Sequence, residues 1–247
     1  PMADASGSIP KTGLGSSATL VTSLAGVLLH CYGAIKLPDG ASDSVAGLDY
    51  LHSVAQLCHC AAQGKVGSGF DVSAATYGSQ RYVRFSPSLI EEVLSLPDGA
   101  APSPQALLAS VGSVEEPVKW DNAVTPLALP EGIDVMMADV CCGANTPSMV
   151  KAITAWRKSD VGAEKLWRAY SAASSDLQRT LAQLCKLAQQ LTSCGGWLES
   201  LTRCGCMDPA GWGDCGPVGL TLARIRETSL KLRGLVREIS EATGVPV

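Results

Sequence analysis

Apolar positions fall at helical spacing over much of the chain, and the elements follow from where that spacing starts and stops. Leu20, Val21, Leu24, Val27, Leu28 and Cys31 predict a helix from Ser16 to about Tyr32, with Gly33 as its C′ residue. A Pro/Asp/Gly/Ser loop over 36–45 leads to a second helix, capped by Asp49, lined by Leu51, Val54, Leu57, Cys58 and Ala61, and ended by Gly64. A short helix-capable run begins at Asp71, and the alternation from Tyr82 to Phe85 predicts a strand closed by Ser86 and Pro87. Residues 107–111 fit either pattern, 119–129 read as extended, and Ile133 to Val140 read as a strand. Thr146 followed by Pro147 opens a helix to about Lys158. An amphipathic helix spans roughly 162–191, with Leu166, Ala173, Leu177, Leu181, Leu184 and Leu191 inward, and a last helix spans roughly 220–242. The segment 194–217, rich in Gly, Cys and Trp, has no readable period, and no internal repeat is present.

Composition adds bounds. With 247 residues, 46% apolar and 17% charged, the chain buries a normal core as one large or two ordinary domains. A formal charge of −4 without a dense Lys/Arg run argues against nucleic acid as the main partner and leaves anionic small molecules to local cations. The longest apolar stretch, 18–32, is interrupted by Thr19, Thr22, Ser23 and His30, so neither a membrane span nor a signal peptide is expected. A soluble, non-secreted, cytoplasmic chain is expected. Ten cysteines in such a chain read as reduced thiols. Cys194, Cys204, Cys206 and Cys215 lack Cys-x-x-Cys knuckles, which favours unpaired loop thiols over a zinc site.

The chemistry concentrates in two glycine-bearing loops. Lys11-Thr-Gly-Leu-Gly-Ser-Ser-Ala18 runs into the first helix: Gly13 and Gly15 let backbone N–H groups approach an anion, Ser16 and Ser17 add hydroxyls, and the helix points its positive end there. It is not a Walker loop, since no Gly-Lys-Ser/Thr follows, and a tight turn capped by serine is the plainer alternative. The second loop, Gly64 to Gly69, places Asp71 just after a tight turn, where a carboxylate serves phosphoryl transfer, or caps a helix. A phosphate loop of this kind normally leaves a strand, and only small and polar residues precede Gly13, so the chain reads as cut on its N-terminal side.

The first loop resembles the second conserved motif of the GHMP kinase superfamily. Gln63 to Pro87 resembles, within that superfamily, the phosphomevalonate kinases of the eukaryotic type, and Lys119-Trp-Asp-Asn122 and Thr146-Pro-Ser-Met-Val150 fit the same family. The likeness is distinctive over 10–87, patchy to 158 and weak beyond 190. It implies an α+β GHMP kinase fold, with residues 1–130 as part of the N-terminal domain and 131–247 as part of a smaller C-terminal domain. It also implies ATP and Mg²⁺ as cofactors and 5-phosphomevalonate as the small-molecule substrate, giving 5-diphosphomevalonate in the mevalonate route to isoprenoids. By the same resemblance Lys11, Gly13, Leu14, Gly15, Ser16, Ser17 and Ala18 wrap the ATP phosphates, with Ser16 or Ser17 also near Mg²⁺. Asp71 and Lys65 become the catalytic pair, and Ser68, Arg81, Arg84 and Ser148 the contacts to an anionic substrate, with a solvated strand face as the alternative for the two arginines.

Departures matter beside the matches. Relatives often carry a magnesium-binding Glu in the helix before the second loop, whereas Gln56 to Gln63 holds no carboxylate, and His59 near that place is expected to be a packed side chain rather than a ligand. Cys141-Cys-Gly-Ala-Asn145 replaces a Gly/Ser-rich stretch, and the first and third superfamily motifs are missing. Two other functions therefore stand beside the first: a related kinase acting on mevalonate or a similar acceptor, and a non-catalytic module that binds anions or a partner.

Overall fold

The computed structural model describes residues 15–37, 45–96, 102–137 and 146–245, in two units that meet in the sequence between Leu127 and Ala128. The first unit is built around a helix buried on two sides. Helix α1 (Ser16–Cys31), α2 (Val45–Gln63), α3 (Phe70–Tyr77), strand β1 (Gln80–Val83), α4 (Ser88–Leu94), α5 (Pro104–Val111) and β2 (Ala123–Pro126) follow in order. On one side of α2, Leu51 and Ala55 pack with Ala18, Ile35 and Val72; on another, Leu57 and Cys60 pack with Phe85, Ile90, Val93, Val111 and Trp120.

Burial on two sides explains where the periodicity misleads. Asp49 lies inside α2 rather than at its cap, where it accepts the Tyr77 hydroxyl at 2.7 Å, and Cys58 and Ala61 are exposed while His52, Ser53, Gln56 and His59 are buried. Helix α1 shows a similar inversion. Its small face, Ala18, Thr22 and Gly26, is buried, and Leu20, Leu24, Val27 and Leu28 point outward. Gly33 closes it as expected, at φ +73°.

Strands β1 and β2 pair antiparallel, Gln80 opposite Pro126 and Val83 opposite Ala123. The expected strand over 82–85 thus begins two residues earlier; Phe85 leaves the ladder for the core, 4.8 Å from the Trp120 ring. Trp120 donates its indole N–H to the Ser110 carbonyl, and Asp121 accepts from both the backbone N–H (2.7 Å) and the hydroxyl of Ser86. Residues 107–111 resolve as helix. His52 stands among Tyr77, Trp120 and Tyr82 with ring centroids at 5.4, 5.9 and 6.4 Å, and burial lowers its pKa to about 4 against a smaller opposing pull from Asp49.

The second unit contains α6 (Thr146–Ser159), α7 (Ala163–Thr192), α8 (Gly196–Gly205), a 3₁₀ turn (Pro209–Asp214) and α9 (Gly216–Thr243). Helices α7 and α9 pack along each other, Leu184 and Ala188 meeting Val218 and the buried Trp197. The inward stripe of α7 is as expected, with Ala173 and Leu184 buried and Leu166, Leu177, Leu181 and Leu191 half-buried. Asp176 on α7 accepts from Arg224 of α9 at 2.7 Å, and these guanidinium bonds hold its carboxyl below the usual carboxylate range. Among the described residues, 133–137 do not form the expected strand and pair with no other strand, and Val135, Met136 and Met137 are exposed. Residues 138–145, with Cys141 and Cys142, lie outside the described residues.

Candidate functional site

Gly15 occupies the N-cap position of α1 at φ +73°, a conformation that a β-carbon would strain. The N–H groups of Ser16, Ser17 and Ala18 precede the first intrahelical bond, from Thr19 N–H to the Gly15 carbonyl at 3.0 Å, and among the described residues no side chain caps them. Ser16 and Ser17 are exposed and Ala18 is fully buried, so hydroxyls face out while the methyl anchors the turn to the core. Lys11, Gly13 and Leu14, the other expected members of this loop, lie outside the described residues.

The second loop converges on the first. Asp71 sits in the first turn of α3, its Cβ 3.4 Å from where a β-carbon on Gly15 would stand. It is not the cap of α3: Gly69 takes that place at φ +83°, and Asp71 Oδ1 accepts from the adjacent Val72 N–H at 3.0 Å. Gly69 is also sterically required. A β-carbon there would lie 2.8 Å from the Tyr82 hydroxyl, 2.9 Å from Gln56 Oε1 and 3.0 Å from Phe85. Burial pushes the Tyr82 phenol up, with the Asp71 charge adding in the same direction, while Phe85 and Arg84 work against it.

Helix α2 reaches the same place. His59, 4% exposed, puts Nε2 3.3 Å from Ser17 Oγ and 2.9 Å from Gln63 Nε2. Sequence reasoning foresaw a packed histidine and missed these contacts, as it missed Gln56, Gln63 and Tyr82; the four-residue spacing of His59 and Gln63 was the available signal.

The remaining expected residues divide. Lys65 and Ser68 are exposed in the loop between α2 and α3, and Arg81 is exposed on β1. Arg84 grips the second loop itself, donating to the Gly67 carbonyl at 3.0 Å and the Val66 carbonyl at 3.4 Å. Ser148 lies on α6, in the second unit. Among the described residues no group of three or more His, Cys, Asp or Glu side chains comes together to hold a metal, the four loop cysteines included.

Comparison with known proteins adds a decisive observation. The chain is 38% identical over 250 aligned positions to the peroxisomal phosphomevalonate kinase of Arabidopsis thaliana, which covers 97% of the chain and 48% of that protein. A phosphomevalonate kinase of Aspergillus fumigatus is 44% identical over 186 positions, 72% of the chain and 36% of the relative, and one of Candida albicans is 40% identical over 154, 61% and 32%. The chain belongs to the phosphomevalonate kinase family. It spans about half the length of the Arabidopsis relative and less of the fungal ones. No family model and no solved structure matches it.

Proposed function

We propose that this chain supplies the phosphate-cradling part of an ATP-dependent kinase that converts 5-phosphomevalonate to 5-diphosphomevalonate in the mevalonate route to isoprenoids. The observation that carries the proposal is the approach of Asp71 to Gly15 at the N-terminus of α1. In this reading the fold is that of the GHMP kinases, the first unit being part of the N-terminal domain and the second part of the C-terminal one, and the protein works in the cytoplasm or, like its Arabidopsis relative by name, in the peroxisome.

The donor set suits a nucleotide phosphate and its cation. Backbone N–H groups at 16–18 and the hydroxyls of Ser16 and Ser17 receive phosphoryl oxygens, with Lys11, Gly13 and Leu14 continuing the loop. Ser16, Ser17 and Asp71 are the residues that would hold Mg²⁺, which would there offset the negative charge of the nucleotide's phosphates. The Asp71 carboxylate and the serine hydroxyls, completed by phosphate oxygens and waters, are hard oxygen ligands of the kind that ion favours. Because the acceptor is already an ionised phosphate, little proton removal is needed, and Asp71 acts by orienting the attacking oxygen. Lys65, Ser68, Arg81 and Arg84 remain the groups of the first unit offered to the substrate's carboxylate and phosphate, Arg84 also bracing the loop that carries Lys65 and Ser68.

The test is Asp71→Asn in the full-length protein. Turnover should fall by about 10²-fold or more, the scale of a lost electrostatic or acid–base contributor, while calorimetric Mg-ATP affinity changes little. Unchanged turnover removes Asp71 from the mechanism. Preference for mevalonate over its phosphate in a coupled assay would move the protein to a sister kinase, and absence of Mg-ATP binding would make it a non-catalytic module.

A further inference from the structure

We infer that His59 is a positioning residue that fixes the direction of the Ser17 hydroxyl, a task that Gln63 in turn imposes on it. The inference rests on the proposed function, since Ser17 is the anion- and cation-facing group of that reading. The Gln63 amide presents its nitrogen to the ring, 2.9 Å from His59 Nε2. In this placement the amide NH₂ donates and Nε2 accepts, which puts the ring proton on Nδ1. Ser17 Oγ lies 3.3 Å from that same Nε2. With the ring nitrogen an acceptor, the serine donates, sharing the one lone pair of Nε2 with the Gln63 N–H, and its own lone pairs stay free for a ligand.

That orientation has a chemical consequence. A hydroxyl whose proton is committed behind it offers oxygen to a hard cation; one that instead accepts from the ring offers its proton to a phosphoryl oxygen. The structure assigns Ser17 the first role. It also accounts for a helix, Gln56 to Gln63, with no carboxylate: here α2 acts on the cation one bond removed, through a serine on α1. His59 is nearly inaccessible, 4% exposed, and held by its own helix, so it serves as an outer support of the kind that tunes a ligand without touching the metal.

Four measurements on the full-length protein test this. In ¹⁵N-resolved spectra of the wild type, with no ligand added, His59 should show a protonated Nδ1 and an unprotonated, acceptor-type Nε2; a protonated Nε2 overturns the inference. By calorimetry His59→Leu should weaken Mg-ATP about 10-fold, the low end of outer-support effects, and His59→Gln, which restores an oxygen acceptor, should recover most of it. In the Ser17→Ala background His59→Leu should cost almost nothing more; full additivity means that His59 acts only on stability and defeats the inference. Gln63→Glu, at an exposed position, presents an acceptor to the ring, so Nε2 should become the protonated nitrogen and Mg-ATP should weaken as in His59→Leu. Should the wild type bind no Mg-ATP, the kinase reading fails; should it bind while His59→Leu binds equally well, only the positioning role fails.

Discussion

The two units solve the problem of an interior in different ways. The second buries a helical seam: Leu184, Ala188, Trp197 and Val218 fill it, and Asp176 and Arg224 pair at its edge. The first buries polar side chains in its central helix, with His52, Ser53, Gln56 and His59 all under 5% exposed. A seam of apolar residues tolerates small shifts, whereas buried polar groups hold their place only with partners or at a cost. The unit that carries the proposed site is therefore the one built from constraints, and the other is built from area.

The comparison breaks first if the seam proves dispensable. Trp197 is 2% exposed and donates its indole N–H to the Glu131 carbonyl at 2.8 Å. Trp197→Ala should cost about 4 kcal/mol, the usual range for emptying a buried indole site, read as lost hydrogen-exchange protection over α7 and α9. Retained protection there would show that the seam is not what holds the second unit together.

Gly69→Ala probes the constrained unit. A left-handed alanine costs about 1–2 kcal/mol, and the collision with Tyr82, Gln56 and Phe85 adds about 1–3 kcal/mol of overpacking, so a loss of about 3 kcal/mol over α2 and α3 is expected. Because Asp71 begins two residues later, turnover should drop more than stability alone explains. A variant with native protection and native turnover would mean that the close approach relaxes freely.

How much of this the residues disclosed follows the same division. The glycine loops, the start of α3, and α7 with its inward stripe were legible because each rests on local rules: positive φ, an uncapped helix start, a 3.6 period. The face of α2 was not, because a helix enclosed on two sides buries His52 and Gln56, which hydropathy assigns to solvent, and leaves Cys58 outside. Val135 and Met137 alternate like a strand, but a strand exists only where a neighbour accepts its hydrogen bonds, and that is not written locally. The site was half readable. Gly15 with Asp71 came from loop chemistry, while the meeting of Ser17 with His59, 42 residues apart, required the packing of α1 on α2.

The smallest expected effect sharpens the comparison through pH. His52 is 1% exposed, its Nε2 finds no partner among the described residues, and burial holds its folded pKa at about 4 against an ordinary value of 6.5. Above pH 6.5 both folded and unfolded chains carry a neutral ring, and nothing is lost. Below it the unfolded chain takes up a proton that the folded chain refuses until about pH 4, so stability falls as pH falls through that window. At 1.36 kcal/mol per unit, the stretch from pH 6.5 to 5 removes about 2 kcal/mol from the first unit. His52→Leu, which replaces an unpartnered buried polar group with one of similar size, should match the wild type near pH 7 and exceed it by that amount at pH 5, read as exchange protection over α2. Parallel curves for the two proteins between pH 7 and 5 would mean that the ring is charged or reached by water in the folded state, and the polar interior of the first unit would then be less closed than that of a core.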